Sequence, residues 1–221
     1  MSTAAMAKSG PRSRKGERTR ARLLEAAQAV FEDVGFLEAR ISDIAERAGL
    51  SHGSFYHYFD SKEQIFREVA SNVDERLSQP MDLVLAHSAD PPRDRLHRAI
   101  RAHLERYRDE ARMMGVIEQV SRYDEHVQAV RAEWNVRYRE IVADSIRRLQ
   151  RRRMADPRLD PLIAAAALGA MSSRFAETWL VEKSIDCTMD EAVDQLTMLF
   201  VNAMGITDAP APAAPRRATK R

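Results

Sequence analysis

The stretch LSHGSFYHYF, residues 50–59, concentrates side chains that contact other molecules. It holds two histidines, two tyrosines and two serines around Gly53, and it has few large aliphatic residues. Hydroxyls and imidazoles donate hydrogen bonds to phosphate oxygens and base edges, and a glycine lets a backbone approach a partner closely. These residue types favour recognition of another molecule over catalysis.

Motifs that support catalysis are scarce. HExxH, GxxxxGK and GxGxxG do not occur, so a helical zinc site and the two common phosphate cradles lack their residues. The six histidines never stand four residues apart, and the single cysteine, Cys187, has no basic neighbour closer than Lys183. We therefore predict no enzyme, no metal and no cofactor. A lone cysteine also excludes an internal disulfide and favours a reducing compartment.

The net charge of +2 is small but unevenly distributed. The first 22 residues hold seven basic side chains against the single acid Glu17. This arm, predicted to be disordered over 1–17, is either a solubilising leader or a segment that touches phosphate. No apolar segment follows it before Leu23, so we expect neither a secretory signal nor a membrane span and predict a cytoplasmic protein.

Helical periodicity predicts an all-α protein, because no segment alternates apolar and polar residues between turns as a strand does. A first helix from about Thr19 to Val34 is expected to stop at Gly35. The segment ISDIAERAGL then gives a second helix of about two turns, which exits through Gly49 in the left-handed conformation.

The third and fourth helices follow at once. Ser51 is placed to cap the third helix by accepting a backbone N–H, and two phenylalanines four residues apart give that helix one apolar side. Ser61 and Gln64 fit a capping box that begins the fourth helix, and Pro80 is expected to end it after Gln79.

Further amphipathic helices follow the proline-bearing linker HSADPPRD. The longest apolar stripe, from Val127 to Leu149, ends in three arginines at 151–153. We interpret these arginines as partners of the negative end of the helix dipole and assign them no DNA role. The closing segment 206–221 is rich in proline and alanine and is predicted to be a disordered tail.

Residues 40–59 are predicted to form a helix-turn-helix. A short positioning helix, a tight turn at Gly49 and a following helix with small or polar residues at its start match the way such motifs enter the major groove. Gly53 and Ser54 would let the helix backbone approach the groove. The alternative is an ordinary helical hairpin with exposed aromatic residues.

At these residues the sequence resembles the DNA-binding domain of TetR-type transcriptional regulators. The family pattern has a glycine-aromatic pair after its first helix, then I-A-x-x-A-G-[VL]-S, [LF]-Y-x-[HY]-F and S-K-E. The resemblance covers about 18–69 and implies an N-terminal three-helix DNA-binding domain over 18–78, joined by the fourth helix to a C-terminal helical ligand-binding and dimerisation domain over 79–205. The matching residues are Gly35-Phe36, Ile44-Ala45, Ala48-Gly49-Leu50-Ser51, Phe55-Tyr56-His57-Tyr58-Phe59 and Ser61-Lys62-Glu63.

The resemblance also implies which side chains face DNA. Tyr56 and Lys62 would clamp phosphates, whereas Ser42, His52 and Ser54 would lie nearer the bases. The predicted DNA-binding residues are Arg40, Ser42, Ser51, His52, Gly53, Ser54, Tyr56, His57, Tyr58 and Lys62.

The chain departs from the family pattern at Arg40, where a threonine or serine commonly caps the second helix. Two interpretations remain open. Either Ser42 caps the second helix one or two residues late, or Arg40 adds a phosphate contact in place of the cap.

Such regulators resemble one another in working as homodimers on palindromic DNA, with a small-molecule pocket in the C-terminal domain. Large apolar side chains with a few polar handles are candidate pocket walls here, although each of them also suits plain core packing. The candidates are His103, Tyr107, Met113, Met114, Ile117, Trp134, Tyr138, Arg174, Phe175 and Trp179.

The last two helices, about 161–182 and 189–204, are the candidate dimer interface. Small residues in the first and a broad apolar face on the second favour helices shared with a second subunit over helices buried within one chain. The predicted interface residues are Leu162, Ala166, Gly169, Ala170, Ser173, Leu196, Leu199 and Phe200.

The function expected from sequence is a ligand-responsive DNA-binding regulator at the nucleoid, acting as a repressor that a small, mainly apolar effector releases from a palindromic operator. One rival is the same fold acting as an activator or with a protein partner. Another, from a different class, is a helical small-molecule-binding protein or enzyme whose N-terminal bundle is only structural.

Overall fold

The computed structural model describes residues 14–86 and 90–209, without the side chains of 78–86, 130 and 134. The predicted arm up to residue 13 and residues 210–221 of the predicted tail lie outside the described residues. The start of that tail is ordered, contrary to prediction, because the amides of Ile206 and Thr207 donate to the carbonyls of Val201 and Met154 at 2.9 and 3.1 Å. Within the described ranges the chain is helical and contains no strand, which confirms the all-α prediction. The helices are α1 Arg14–Glu38, α2 Ile41–Arg47, α3 His52–Phe55, α4 Lys62–Ala86, α5 Pro92–Asp109, α6 Ala111–Ser121, α7 Glu125–Arg151, α8 Pro161–Ala176 with a π-helical turn Glu177–Val181, and α9 Met189–Met204.

The first compact unit comprises the residues up to Asp74 together with 112–131. Its centre is an aromatic cluster in which the ring of Phe66 lies 5.1 Å from that of Phe31 and 4.7 Å from that of Phe36. Burial of these rings and of the aliphatic residues beside them drives the three N-terminal helices together. The fully buried aliphatic residues include Leu23, Ile44, Ile65, Val73, Met113 and Ile117.

Helix α6 and the start of α7 belong to this first unit. The domains predicted from sequence, 18–78 and 79–205, had assigned both to the second domain. The division falls within α4, after Asp74. The apolar face of α6, including Met113 and Ile117, is buried there. Domains assigned as continuous stretches of sequence could not include a helix that returns to the first unit 38 residues after Asp74.

Helix α1 begins at Arg14, five residues before the predicted start at Thr19, so 14–17 are helical and not part of a disordered arm. Two local features explain the extension. Glu17 in the first turn suits the positive end of the helix dipole, and the Thr19 hydroxyl donates to the Lys15 carbonyl at 3.0 Å. The predicted stop at Gly35 is confirmed by its φ of 79°, outside the helical region.

Two predicted helix ends were wrong. Helix α3 ends at Phe55, and residues 56–58 form a turn in which the Tyr58 amide donates to the Phe55 carbonyl at 2.9 Å. Helix α4 continues through Pro80 to Ala86. A proline removes one hydrogen bond of the ladder, and the helical residues on both sides carry the helix past it.

The second compact unit comprises 75–111 and the residues from 132 onward. Helix α5 packs against α9 and α8, and α8 packs against α9. Both C-terminal helices have well-formed starts: Asp160 accepts from two backbone amides at 2.9 Å, and Thr188 forms a capping box with Glu191. No described helix combines the length and apolar character needed to cross a bilayer.

Candidate functional site

The turn between α2 and α3 is fixed by backbone geometry and by one arginine. Gly49 has a φ of 66°, the left-handed value that the sequence predicted. The Arg22 guanidinium donates to the Ala48 carbonyl, and a Cβ at position 49 would lie 2.9 Å from Arg22 Nη2. The left-handed conformation therefore favours glycine at this position, and a Cβ there would displace the flexible end of the Arg22 side chain.

Helix α3 and the turn after it are attached to the bundle by two phenylalanines. Phe55 and Phe59 are fully buried, with ring centroids 5.7 Å apart. The Arg20 guanidinium lies 4.9 Å above the Phe59 ring and forms a two-bond ion pair with Glu68. Ser51 caps the helix as predicted, because its Oγ accepts from the Ser54 amide at 3.2 Å. These contacts fix the start of α3 on its buried side.

The opposite side of α3 is open. His52, Gly53, Tyr56 and His57 are exposed, and Ser54 is partly exposed. A Cβ at Gly53 would meet no atom within 4 Å. None of the described residues lies in front of Gly53 in the first turn of α3, so another macromolecule can approach the backbone there.

The Tyr56 ring is held at a fixed angle. It meets the His52 ring edge-on at 5.4 Å and the Phe55 ring at 5.5 Å. Tyr56 is 42% exposed, so its phenol lies at the surface. Aromatic contacts of this kind restrict the orientation of the side chain.

The geometry at the start of α2 bears on the two interpretations of Arg40. Arg40 occupies the N-cap position but makes no side-chain cap. The Ser42 hydroxyl donates to the Asp43 carboxylate at 3.0 Å, so Ser42 does not cap the helix either. Arg40 is exposed and has no ion pair among the described residues. The geometry favours a phosphate contact for Arg40, and that contact stays a prediction.

The side chain of Lys62 makes contacts that the sequence did not predict. Its Nζ donates to the carbonyls of Phe36, Leu37 and Ala39 at 2.7, 3.1 and 2.9 Å and lies 4.6 Å from the centroid of the Phe36 ring. An ammonium group has three donors, and all three are used here. The predicted phosphate clamp at Lys62 Nζ is therefore not supported, because the group holds the segment between α1 and α2.

A group of basic residues that the charge count included lies outside the motif. Arg14, Lys15 and Arg18 are exposed in the first turns of α1. Cations at the N-terminal end of a helix oppose its dipole, so their own helix does not explain them. They extend the predicted basic arm into the described chain, and the signal was present in the charge count.

Residues 49–53 also read G-x-S-x-G, the letters of a hydrolase nucleophile elbow. That motif requires a strand before the serine and a helix after it. Here α2 precedes the turn, and Ser51 Oγ is 2.7 Å from Ser54 Oγ. The context is that of a helix cap, and the letters carry no catalytic meaning.

A cavity of about 350 Å³ lies within the second unit, among α5, α7, α8 and α9. Two of the predicted wall residues, His103 and Tyr138, line it. The full lining is Pro92, Arg95, Leu96, Ile100, His103, Tyr138, Val142, Ser145, Ile146, Arg148, Leu149, Arg151, Arg152, Leu168, Gly169, Ser172, Phe200, Met204 and Ile206.

The other predicted wall residues lie elsewhere. Met113, Met114 and Ile117 are buried in the first unit, and the side chain of Trp134 is outside the described residues. Tyr107 is buried next to His103, at 6.2 Å between rings, but does not line the cavity.

The wall residues predicted near the end of α8 are also accounted for outside the cavity. Arg174 is exposed and pairs with Glu177 and Glu182 at 2.8 and 2.9 Å. Phe175 and Trp179 pack together, and the Trp179 indole donates to the Cys187 carbonyl at 3.1 Å. Neither aromatic residue lines the cavity.

The predicted dimer residues divide into two groups. Leu162, Ala170, Ser173 and Leu199 are exposed, and Ala166 is partly exposed. Leu196 and Phe200 are buried within the chain, and a Cβ added at Gly169 would lie 3.5 Å from the Tyr138 ring. These last three therefore serve internal packing.

Two exposed apolar residues on the same helices were missed. Ile163 is 71% exposed and Met198 is 43% exposed, next to Leu162 and Leu199. Exposed side chains of this size on adjoining helices form an apolar face of the kind that marks an interaction surface. Helical spacing with Ala167 and Ala170 could have revealed Ile163.

The fold and the open face of α3 define this chain as a helix-turn-helix protein. Comparison with known proteins identifies its family. The sequence profile of "Bacterial regulatory proteins, tetR family" matches residues 23–69. KstR2, an HTH-type transcriptional repressor of Mycolicibacterium smegmatis, is 31% identical over 146 residues, 62% of this chain and 68% of KstR2. The chain belongs to the TetR family of bacterial regulatory proteins.

Other similarities are narrower. YdgC of Bacillus subtilis, an uncharacterized HTH-type transcriptional regulator, is 41% identical over 71 residues, 32% of this chain and 36% of YdgC. The solved SmeT–triclosan complex has a TM-score of 0.72 at 18% identity, covering 90% of this chain and all of SmeT. SmeT is the repressor of the Stenotrophomonas maltophilia efflux pump SmeDEF. At that identity the likeness shows the fold alone, and the match to YdgC spans about a third of either chain.

Proposed function

We propose that this chain is a ligand-responsive repressor. Two copies bind a palindromic operator, and a small molecule that enters the cavity of the second unit releases them. The observation that carries the proposal is the open, small-residue start of α3, supported from beneath by Phe55, Phe59 and Arg20. A rigid helix whose first turn is unobstructed is what reading of a major groove requires.

The apolar face of α8 and α9 supports the homodimer. Leu162, Ile163, Met198 and Leu199 would be covered by the same residues of a second copy, as an isologous interface requires. In such a dimer the two α3 helices read half-sites spaced by about one duplex turn, roughly 34–36 Å.

The cavity and the shape of α4 support ligand control. Helix α4 starts in the first unit and continues into the second, so it can carry a change between them. Moving the population from 99:1 to 1:99 requires about 5.5 kcal/mol of differential ligand affinity. Linkage then requires operator DNA to weaken ligand binding by the same factor. KstR2 and SmeT are both named repressors, which favours repression over activation here.

Fluorescence anisotropy on DNA that flanks the gene tests the DNA-binding part. Wild type should bind one palindrome selectively, with an affinity that falls steeply with salt. Tyr56→Phe should weaken binding to every sequence alike, because it removes a phosphate contact, whereas His52→Ala should relax preference at particular bases.

His126→Ala is the matched control, since His126 is an exposed histidine of the first unit outside α2 and α3. It should bind DNA as wild type does. Absence of salt-sensitive, sequence-selective binding by wild type would refute the proposal. A reporter gene behind the operator that rises in the presence of the protein would identify an activator.

A further inference from the structure

The cavity of the second unit is apolar in its walls and cationic at one end. Four arginines line it, and none of its described lining residues is acidic. Arg95 belongs to the first turns of α5, whereas Arg148, Arg151 and Arg152 come from the end of α7. His103 lies eight residues after Arg95, about 12 Å along the helix. The arginines therefore gather where α5 begins and α7 ends.

The helix dipole explains only part of this cluster. Arg148 and Arg151 lie in the last turn of α7, where cations are favoured. Arg95 lies near the N-terminal end of α5, where the dipole disfavours a cation. Burial and the charges of Arg152 and Arg148 lower the pKa of Arg95. The position of Arg95 therefore costs the folded chain free energy and needs another reason.

Polar atoms at the cavity lack partners inside the protein. Arg95 Nε is buried without a hydrogen bond among the described residues. The His103 side chain keeps partial exposure, but both of its ring nitrogens are buried and likewise without partners. Buried polar groups are almost always hydrogen-bonded, so these atoms mark a place that a ligand completes.

Nearby carboxylates do not neutralise the cluster. The charge of Asp90 acts on Arg95, but Asp90 forms its ion pair with Arg98, at 2.5 Å. Arg148 donates to the Ser145 hydroxyl at 2.7 Å, which is a neutral partner. Within the described ranges, Arg151 and Arg152 have no ion pair. Asp90 therefore offsets the charge of Arg95 only in part, and the lining of the cavity, with four arginines and no acid among its described residues, stays net positive beside an apolar interior.

We propose that the effector is an anionic amphiphile, a small molecule with an apolar body and one carboxylate or phosphate group, bound with that group between Arg95 and the arginines at the end of α7. This inference rests on the proposed function, because it names the chemical class of the effector. The body lies against the side chains of Leu96, Ile100 and Ile146. His103 offers a ring donor and a ring acceptor to a polar atom farther along it. This differs from the mainly apolar effector expected from sequence.

Three probes of equal chain length test the class: decanoate, decyl phosphate and decan-1-ol, titrated by calorimetry into the full chain. An anion held by arginines should bind at least about tenfold more tightly than the alcohol. The advantage should shrink as salt screens the charges. Decanoate and decyl phosphate together distinguish a carboxylate site from a phosphate site, since the better of the two names the head group.

Arg95→Gln and Arg148→Gln are the test variants, and Arg93→Gln is the matched control. Arg93 lies two residues from Arg95 in α5, is exposed and does not line the cavity. Each test variant should bring anion affinity to within about twofold of alcohol affinity, which is the loss expected for one charged contact. The control should keep the full difference. Arg95→Gln should not lower the melting temperature, because the substitution relieves repulsion among the arginines. If Arg95 had a purely structural role, the same substitution would lower the melting temperature.

Three outcomes would overturn the inference: equal affinity of the three probes, no binding of any probe, or equal loss of alcohol and anion binding in the test variants. Operator binding by the unliganded protein is measured separately. Selective operator binding without anion preference would refute this inference and leave the regulator intact. Anion preference without operator binding would refute the proposed regulator and leave the ligand class standing.

Discussion

Lys62→Met separates a structural role of Lys62 from a DNA contact. The Lys62 ammonium donates to three carbonyls at 2.7–3.1 Å and lies 4.6 Å from the Phe36 ring centroid. Methionine keeps the aliphatic stem but removes all three donors. The carbonyls of Phe36, Leu37 and Ala39 would then depend on water alone.

The expected cost follows from these contacts. A hydrogen bond from a charged donor contributes about 1.5–3 kcal/mol net. The three bonds share one partly exposed ammonium, and water can reach some of the carbonyls, so their energies do not add. We expect Lys62→Met to lower the free energy of unfolding by about 2–4 kcal/mol, which corresponds to a fall in melting temperature of roughly 5–15 °C.

Two measurements check this prediction. Hydrogen exchange read by mass spectrometry on peptides covering 36–40 should accelerate in the variant, because the segment opens locally. Anisotropy titrations with operator DNA across a salt series should give the wild-type slope of log affinity against log salt, since no phosphate contact is lost. Arg40→Met, a matched loss of charge at the predicted phosphate contact, should lower that slope by about 0.9.

The opposite pattern would refute the reasoning. If Lys62→Met melted with wild type, left exchange at 36–40 unchanged and reduced the salt slope by about one, Lys62 would be a phosphate ligand after all. The contacts with the carbonyls would then be a resting position that DNA displaces.

Three further substitutions probe stability and recognition. Gly53→Ala should raise the free energy of unfolding by about 0.5–1 kcal/mol, because its Cβ meets no atom within 4 Å, and should weaken operator binding; unchanged binding would remove Gly53 from the interface. Burial lowers the pKa of His103 from 6.5 to about 4, so the free energy of unfolding of wild type should fall by about 3 kcal/mol as pH falls through that window. In urea titrations, His103→Gln should not show this fall. Burial raises the pKa of Asp74 from 3.8 to about 6, although the charge of Arg131 acts to lower it. The free energy of unfolding of wild type should therefore fall by about 3 kcal/mol as pH rises through that window. Asp74→Asn should not show this second loss, and equal pH profiles of the two proteins would contradict the assignment.

Local features of the first unit could be predicted from sequence because each depends on residues close in the chain. The left-handed Gly49, the Ser51 cap and the buried pair Phe55 and Phe59 all follow from spacing within ten residues. The cap of α4 was predicted nearly correctly: Ser61 Oγ accepts from the Gln64 amide, but the Gln64 side chain accepts from Asp60, one residue earlier than a capping box requires. Helix ends were less predictable, as α3 and α4 show, because tertiary packing decides how far a helix continues.

Features that join distant residues could not be predicted from local sequence for a common reason. Lys62 lies more than twenty residues from the carbonyls that it binds, and the arginines at 151–153 were judged against their own helix alone. Within α7 the dipole accounts for them, and the approach of Arg95 from α5 turns them into a cluster whose charge is offset only in part. A charge that its own helix explains can therefore still belong to a binding site. Its role depends on whether a second element brings a like charge beside it, because closely grouped like charges and perturbed ionisable groups are enriched at functional sites.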